Sequence, residues 1–463
     1  MTAELELAAA AVEQVTRVLA GAEVAVTATR NELALTRFAN SVIHQNHAED
    51  STTVRVQIHH GGRTASGSGT VTDRASLTAA VEQAIAAVGL APLDPGWPGL
   101  APVAAAPDPI SIDAAAAGAT ADARARVVRG FVDGAGGLEA AGYCRTNHQA
   151  VAFANSSGQS LTGTSFECGV SGIARDNGAD GVARHAPLTL TDLDGPALGA
   201  RAAAKARAWK DPVELPAGRY EVVLEPTAVA DIVETLAEAA FNGKAVHEKR
   251  SFVRVGDQQF DPLITMLDDP LAVGQRFDAD GTPRARLTLI DRGTSVAVAH
   301  DRRSAKEAGG GALSTGHSAN EAFWFGPASR HACMLPTGLP DDVASEATGP
   351  AADSSVAELV AGVERGLLVS DFWYTRMLDP RTLAITGLTR NGVWLIEDGV
   401  VTTPLRNFRF TQSYAQALMS GNVRGVGRTA TPIPGDTYGA TSPRWTCPAL
   451  HLGSWNFTGG ASG

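Results

Sequence analysis

The sequence contains few cysteines, and they follow no pattern. Cys144, Cys168, Cys333 and Cys447 are widely separated and show no paired spacing. A disulfide framework or a zinc ribbon needs cysteines at recurring short intervals, so neither is indicated. We expect the four thiols to be reduced and mostly buried.

Long hydrophobic runs are also missing. No apolar stretch approaches the roughly 20 residues that a membrane-spanning helix needs. The first twenty residues carry Glu4, Glu6 and Glu13, whereas a secretory signal would carry basic residues there. These features predict a cytoplasmic protein with no membrane association.

Lysine is scarce, because only five of the 38 basic residues are lysine. In an alanine-rich chain, the excess of arginine is typical of a GC-rich bacterial coding bias rather than of a functional arginine patch. The formal net charge is -11, and no acidic or basic block stands out. This balance weighs against direct nucleic-acid binding.

Several motifs that carry chemistry are absent. The glycine-rich segment 305–316 lacks the spacing of a phosphate-binding loop and is predicted to be a flexible loop. No G-x-S-x-G elbow supports a serine hydrolase, and no strand-anchored G-x-G-x-x-G supports a dinucleotide site. Four histidines lie close together in predicted strands and are expected to be exposed rather than metal-bound, because no cysteine or carboxylate cluster completes a site. They are His44, His47, His59 and His60.

The order of predicted elements indicates an α+β fold. Helix, antiparallel meander and helix occur once in residues 1–90 and again in residues 109–212, with a linker rich in proline and alanine at 91–108. Residues 213–463 read as a β-rich C-terminal domain with one principal helix. In it, residues 431–443 are predicted to be an irregular loop before a last strand at 449–457.

The principal helix follows a short predicted strand, Tyr220–Leu224. Pro226 suits its first turn and Gly243 its end. Its apolar residues recur at helical spacing, and its polar residues share the opposite side. Those polar residues are Asp231, Glu234, Glu238 and Asn242. Periodicity alone indicates a surface helix with one solvated face.

His247 and Glu248 form the most suggestive pair, since H-E opens the motif of zinc peptidases. Such a motif needs a second histidine on the same helix face, but Ser251 and Phe252 occupy the two relevant positions. The pair also follows Gly243, which predicts that it lies outside the helix. The sequence therefore favours a surface pair over a metal site.

Several segments of the chain, from about Glu23 to Phe457, resemble the TldD/PmbA family of bacterial metallopeptidase-related proteins. The resemblance is carried by segments 220–244, 366–370 (GLLVS), 385–399 (ITGLTRNGVWLIEDG) and 404–410. It implies an N-terminal α/β region and a β-rich C-terminal domain. It also implies a heterodimer of TldD and TldE (PmbA), in which the TldD subunit carries the zinc.

In TldD-like chains, the helix after the strand bears H-E-x-x-x-H, and a cysteine in a late glycine-rich loop completes the zinc site. Residues five apart lie about 140° apart around an ideal helix, so the helix must end or distort there for both to reach one metal. In this chain Ala237 and Asn242 stand at the histidine positions and Glu238 matches the glutamate. The late loop, 435–441, contains no cysteine, and Cys447 follows too late.

The resemblance therefore points to a TldE/PmbA-like subunit without its own zinc, paired with a TldD-like zinc subunit and acting on unfolded or short peptides. Arg390 and Asn391, in the most family-like segment, are candidates for substrate binding, and a satisfied turn is the alternative for both. One alternative function is an active metallopeptidase that uses His247, Glu248 and Cys447. Another is a peptide-binding or scaffold protein that is not an enzyme.

Overall fold

The structure is a computed structural model that describes residues 2–112, 115–116, 118–320, 322–337, 350–435 and 443–460. The longer helices and the strands of its N-terminal part come first in the chain. They are α1 (Ala3–Val18), β1 (Glu23–Ala39), β2 (Val42–His60), β3 (Arg63–Thr70), α2 (Arg74–Leu90), α3 (Ala121–Gly134), β4 (Glu139–Asn155), β5 (Ser160–Asp176), β6 (Ala179–His185) and α4 (Gly195–Ala208).

The strands of the two predicted N-terminal units form one antiparallel six-stranded sheet in the order β3-β2-β1-β4-β5-β6. The two halves join where β1 pairs with β4, with Val26 opposite Ala154. The repeated helix, meander and helix layout predicted from the sequence therefore yields a single sheet. The boundaries proposed for the domains stay a prediction.

The helices of this part lie on one face of the sheet. Alternate residues of β1 and β2, such as Val26 and Val56, pack in a buried cluster with α1 and α2. Cys144 of β4 and Val170 of β5 pack in a second cluster with α3 and α4. Because side chains alternate along a strand, the intervening residues form the opposite face, which carries no helix of this layer.

Residues of the predicted linker contact both the N-terminal sheet and the C-terminal part. Trp97 donates to Glu23 across 2.6 Å and stacks on His59, with ring centroids 4.9 Å apart. Asp94 forms a two-point ion pair with Arg303 of the C-terminal part at 2.6 and 2.8 Å. The segment therefore ties the sheet to the C-terminal domain.

The C-terminal part is rich in strands. Its helices are α5 (Pro226–Thr235), α6 (Gly243–His247), α7 (Arg302–Ala308), α8 (Ala322–Phe325), α9 (Pro350–Val360) and α10 (Tyr414–Ala417). Its strands are β7 (Gly218–Leu224), β8 (Met266–Asp268), β9 (Leu287–Asp291), β10 (Thr294–Ser295), β11 (His331–Met334), β12 (Arg365–Asp379), β13 (Ala384–Glu397), β14 (Val400–Pro404), β15 (Phe408–Ser413), β16 (Val423–Pro434) and β17 (Arg444–Gly460).

Five of these strands close a ring, because β7, β12, β13, β15 and β17 each pair with two others of the set. Aromatic side chains fill part of its core: Phe372 stacks on Trp455 with ring centroids 5.0 Å apart, and Phe410 meets Trp455 edge-on at 5.5 Å. Helix α5 is apolar on the side facing this core, where Val229 and Val233 are fully buried.

The predicted α+β class is confirmed, with some local corrections. Part of the predicted loop at 431–443 is strand, because β16 runs to Pro434, and the last strand is longer than predicted. Residues 436–442 of that loop lie outside the described residues. The first residues of the predicted flexible loop at 305–316 are helical, because α7 extends to Ala308; Asp301 caps the N-terminus of this helix.

The four cysteines are free and buried, in agreement with the sequence. His44 and His47 are exposed on β2 as predicted, whereas His59 and His60 are half-buried. In the part of the chain that the structure describes, no helix has both the length and the apolar character needed to cross a membrane.

Candidate functional site

Helix α5 ends in a widened turn. Residues Leu236–Ala240 form a π-helical turn, in which the N–H of Phe241 donates to the carbonyl oxygen of Leu236 across 2.8 Å. Such turns bring residues five apart closer together than an α-helix does. The distortion required by the i, i+5 spacing of the family motif is therefore present, although Ala237 and Asn242 replace the histidines.

Asn242 is fully engaged in holding the chain around this turn. Its Oδ1 accepts from the N–H of Ala245 at 3.1 Å and so caps α6. Its Nδ2 donates to the carbonyl oxygens of Phe325 at 2.9 Å and Pro327 at 3.1 Å. Because the side chain is 3% exposed, these bonds replace those that water would make. Asn242 therefore has a structural role that accounts for both of its polar atoms.

The other two motif positions differ in character. Ala237 is buried and offers a methyl group. Glu238 reaches solvent, but the surrounding protein removes part of its hydration and raises the pKa of Glu238, while the positive charge of Arg330 acts in the opposite direction. The positive charge of Arg330 disfavours a second cation at Glu238, and a single carboxylate does not form a zinc site.

The zinc that the family implies does not fit these residues. A zinc site needs at least three protein ligands of the cysteine, histidine or carboxylate type. Of Ala237, Glu238 and Asn242, Glu238 alone is such a ligand, and the amide of Asn242 is already committed. Among the residues with described positions, no three His, Cys, Asp or Glu side chains form a group that could hold a metal ion.

The alternative zinc set is not assembled either. His247 lies beyond the principal helix, as predicted, where it is the last residue of the short helix α6, and it is exposed. Glu248 is also exposed and pairs with Arg250 at 2.6 Å. Cys447 is fully buried in the core of the C-terminal domain, where burial raises the pKa of its thiol far above the usual value. The core location of Cys447 keeps it apart from the two surface residues.

Arg390 and Asn391 lie within β13, and both are engaged. The guanidinium of Arg390 lies over the ring of Trp373, 4.4 Å from its centroid. Asn391 is 5% exposed, has a φ of 60°, and donates to Asp371 across 2.8 Å. Asp371 also accepts from Arg184 of the N-terminal sheet at 2.9 Å. Substrate binding by Arg390 and Asn391 stays a prediction.

Asp371 and Arg184 line a cleft of about 640 Å³ between the N-terminal sheet and the C-terminal ring. Strand β12 forms one wall through residues 371–376, and the polar side of α5 forms another through Asp231 and Glu234. Strand β7 pairs with β12 up to Val369, and beyond it no described strand pairs with β12 on that side. Along this part of the cleft, β12 therefore has no described strand paired to it on the side of β7.

The polar side of α5 is not a solvated surface, contrary to the interpretation from periodicity. Asp231 accepts from the hydroxyl of Thr375 at 2.7 Å and from the hydroxyl of Tyr414. Burial raises the pKa of Asp231, against the effect of those two hydrogen bonds. The helix instead forms a wall of the cleft, with one carboxyl group held in place by neighbouring strands.

Sequence reasoning missed Arg184 and Asp371. Each is a charged residue directly beside uncharged neighbours, in the sequence VAR of β6 and in the sequence SDF of β12. This is a weak local signal. What makes them notable is their ion pair, which joins positions 187 residues apart. No periodicity in either strand predicts that contact.

Comparison with known proteins identifies the class. Residues 217–459 match the PmbA/TldA metallopeptidase C-terminal domain, and residues 24–88 match the PmbA/TldA metallopeptidase domain 1. Because the first match covers more than half of the chain, the protein belongs to the PmbA/TldD family of metallopeptidase-related proteins. No curated protein matches the sequence significantly.

Solved structures share the fold over nearly the whole chain. TldE from Thermococcus kodakarensis is 16% identical, with a TM-score of 0.82 over 98% of this chain and 100% of that one. A proposed modulator of DNA gyrase from Thermotoga maritima is 15% identical, with a TM-score of 0.79 over 98% and 99%. Another from Bacteroides thetaiotaomicron is 18% identical, with a TM-score of 0.76 over 98% of each chain. At these identities the likeness concerns the fold.

Proposed function

We propose that this protein is a TldE/PmbA-like subunit of a cytoplasmic heterodimeric metallopeptidase that degrades or processes unfolded or short peptides. In this proposal a TldD-like partner carries the zinc, and the present chain has no zinc site of its own. The observation that carries the proposal is the helix end. There Ala237 has no ligand atom, and Asn242 uses both polar atoms to hold the chain.

The proposed contribution of this subunit is to hold substrate. The edge of β12 beyond Val369, to which no described strand pairs on the side of β7, borders the cleft of about 640 Å³, and an extended peptide can add to a sheet edge through main-chain hydrogen bonds. Asp231, Glu234 and Arg184 on the cleft walls would then contact the side chains of the peptide. This mode suits varied or unfolded peptides, because main-chain hydrogen bonding is largely independent of sequence.

Copurification, digestion and metal analysis test the proposal together. A tagged chain should retain a second, zinc-bearing family member, and the pair should digest an unfolded peptide until a chelator is added. The chain alone should bind no stoichiometric zinc and digest nothing. Stoichiometric zinc in the purified single chain, lost in His247→Ala, would establish the alternative of an active metallopeptidase.

His247→Ala and Cys447→Ser test the alternative zinc set, because each removes one of its proposed ligands. Under the proposal, neither variant changes the zinc content of the pair. If the proposal is right, His247→Ala changes neither the zinc content nor the activity of the pair, because the side chain is exposed whereas Cys447 is fully buried. If the chain binds peptide but never copurifies with a family member, the scaffold alternative replaces the heterodimer.

A further inference from the structure

A second cleft lies on the helix-free face of the N-terminal sheet. It has a volume of about 420 Å³ and is bounded on the other side by loops of the C-terminal domain between residues 274 and 330. The sheet contributes hydroxyl and amide side chains, including Thr29, Asn31, Gln149 and Ser165. This lining is polar, unlike the opposite face of the same sheet, which is buried beneath helices.

Three arginines line this cleft: Arg276, Arg284 and Arg330. None of the three forms an ion pair with any residue in the described ranges. Arg276 donates to neutral acceptors, the carbonyl oxygens of Pro107 at 2.6 Å and Thr162 at 2.8 Å. Its charge is therefore not cancelled by a carboxylate, although the protein as a whole has a net charge of -11.

Arg284 and Arg330 have buried N–H groups without acceptors. Arg284 is 3% exposed, and its Nε donates to the carbonyl oxygen of Phe277 at 3.1 Å, but its Nη1 has no partner within the described part of the chain. The Nε of Arg330 is buried and likewise has no acceptor there. An unsatisfied buried donor is costly, and the cost is larger when the group is charged.

The two guanidinium groups also repel each other. Burial, and then the positive charge of Arg330, lower the pKa of Arg284 to about 10. An anion between them would remove both this repulsion and the missing hydrogen bonds.

The carboxyl groups whose charges act on Arg284 are Asp268 and Asp278, and neither supplies that anion. Asp268 does not line the cleft and is bonded to His317 and to the backbone N–H groups of Arg330 and His331. Asp278 accepts from the backbone N–H groups of Asp280, Thr282 and Ser318 at 2.9 to 3.0 Å. Burial, and then the charge of Asp280, raise the pKa of Asp278 to about 7, so its negative charge is partial at neutral pH. Glu49, the other acid of the lining, is exposed.

We propose that this cleft binds an oxyanion, held by the guanidinium groups of Arg284 and Arg330 through their unpartnered N–H groups. Guanidinium matches a planar carboxylate or a phosphate through paired, charge-assisted hydrogen bonds. A cationic cleft in an acidic protein also concentrates anions locally. The oxyanion site rests on this geometry. Its assignment to the carboxylate of a peptide substrate rests on the proposed function.

The test uses the full-length chain alone and three probes. The first is acetyl-trialanine with a free carboxylate, the second is the same peptide as its C-terminal amide, and the third is inorganic phosphate. Binding is measured by calorimetry at low salt. The variant is Arg330→Met, which removes the charge while keeping much of the volume. Arg428→Met is the control, because Arg428 is 74% exposed and pairs with Glu358 at 3.1 Å.

The free-carboxylate peptide should bind at least about tenfold more tightly than the amide, and Arg330→Met should lose at least about tenfold in affinity while Arg428→Met does not. Without ligand, Arg330→Met should melt at the same or a higher temperature, because a cation with a buried, unbonded N–H group and no ion pair among the described residues has been removed. This last readout separates a ligand-binding arginine from a structural one, whose loss would lower the melting temperature.

Three outcomes would decide against all or part of the proposal. If neither phosphate nor the peptide binds, or if Arg330→Met binds both as tightly as the unchanged chain, the oxyanion site is refuted. If phosphate binds and the peptide does not, the oxyanion site stands and the peptide assignment is wrong. Failure to copurify with a zinc subunit would refute the heterodimer without touching these measurements.

Discussion

The buried polar groups at the end of helix α5 differ in their hydrogen bonding from those in the arginine cleft, which is the cleft lined by Arg276, Arg284 and Arg330. At the helix end, Asn242 is as buried as Arg284 is in the cleft, each being 3% exposed. Both polar atoms of Asn242 have partners in the protein, whereas Arg284 and Arg330 each keep a buried donor that has no acceptor among the described residues. Satisfied groups stabilise a fold, and unsatisfied ones lower its stability unless a ligand completes them.

The comparison reverses what family resemblance suggests about this chain. The resemblance directs attention to the helix end, because the zinc ligands of TldD-like chains lie there. In this protein that region is self-contained, and the unfilled binding capacity lies on the helix-free face of the sheet. The proposed zinc-free subunit would therefore still contribute a binding site of its own.

The largest expected effect concerns a third polar cluster, formed by Lys205, Glu225 and Ser370. As at the helix end, its polar side chains have hydrogen-bond partners within the protein. Lys205 of α4 pairs with Glu225 at the start of α5 and donates to Ser370 at 2.9 Å. Lys205→Met leaves Glu225, whose side chain is only 13% exposed, without its cation and with Ser370 as a remaining donor, and should lower the free energy of unfolding by about 3–5 kcal/mol. Denaturant unfolding measures this loss.

The matched control is Arg406→Met, since Arg406 and its partner Glu214 are 65% and 84% exposed. An exposed pair contributes less than about 1 kcal/mol. Equal losses in the two variants would show that the Lys205 cluster is not a satisfied structural group.

The second prediction tests the helix end directly. Asn242→Ala removes a helix cap and leaves the carbonyl groups of Phe325 and Pro327 without that donor, so the free energy of unfolding should fall by about 2–4 kcal/mol. Thermal and denaturant unfolding measure it. If Asn242→Ala proves as stable as Arg330→Met, the distinction between the two regions fails.

The third prediction concerns the close packing around the start of α6. A Cβ on Gly243 would lie 2.3 Å from Nδ1 of His300, so Gly243→Ala should cost about 1–3 kcal/mol. Gly89 in α2 has open space at that position, and Gly89→Ala should instead stabilise the chain by about 0.5–1 kcal/mol. Unfolding curves that shift in the same direction for both variants would contradict the packing observed at Gly243.

The fourth prediction concerns a pH dependence in the arginine cleft. The carboxyl pKa of Asp278 is raised from 3.8 to about 7 in the folded state, so between these values the folded chain binds more protons than the unfolded chain. The contribution of Asp278 to stability is therefore present at low pH and is lost as the pH rises to about 7, by at most about 1.4 kcal/mol per pH unit. Asp278→Asn should remove this loss.

The measurement is the difference in melting temperature between the unchanged chain and Asp278→Asn at pH 5 and pH 8, which should move in favour of Asp278→Asn at the higher pH. His185 and His331, whose pKa values burial lowers to about 4, act in the opposite direction but are common to both proteins. Asp379→Asn is the control, because the pKa of that exposed carboxyl is lowered and it does not titrate in this range. A constant difference for Asp278→Asn would exclude a raised pKa.

Much of the fold could be predicted from the sequence. Alternation in β1 and β2, and the helical spacing of Val229 and Val233, are local patterns, and they indicated elements that the structure contains. The sequence did not predict that β1 pairs with β4 to merge two units into one sheet. It also did not predict that Asp231 would be buried, because periodicity identifies a polar side without showing what packs against it.

The sequence alone determined the α+β class, the family, and the residues at the positions of the family motif, because alternation, helical spacing and residue identity are read from neighbouring positions in the chain. The meeting of Arg284 and Arg330 beneath Asn31 and Gln149 was decided by tertiary structure. An even spread of arginines along the chain is typical of coding bias. The tertiary structure alone determines which guanidinium groups lie near each other without an ion pair among the described residues. Electrostatic repulsion and unmade hydrogen bonds depend on distances in space, and sequence separation does not encode them.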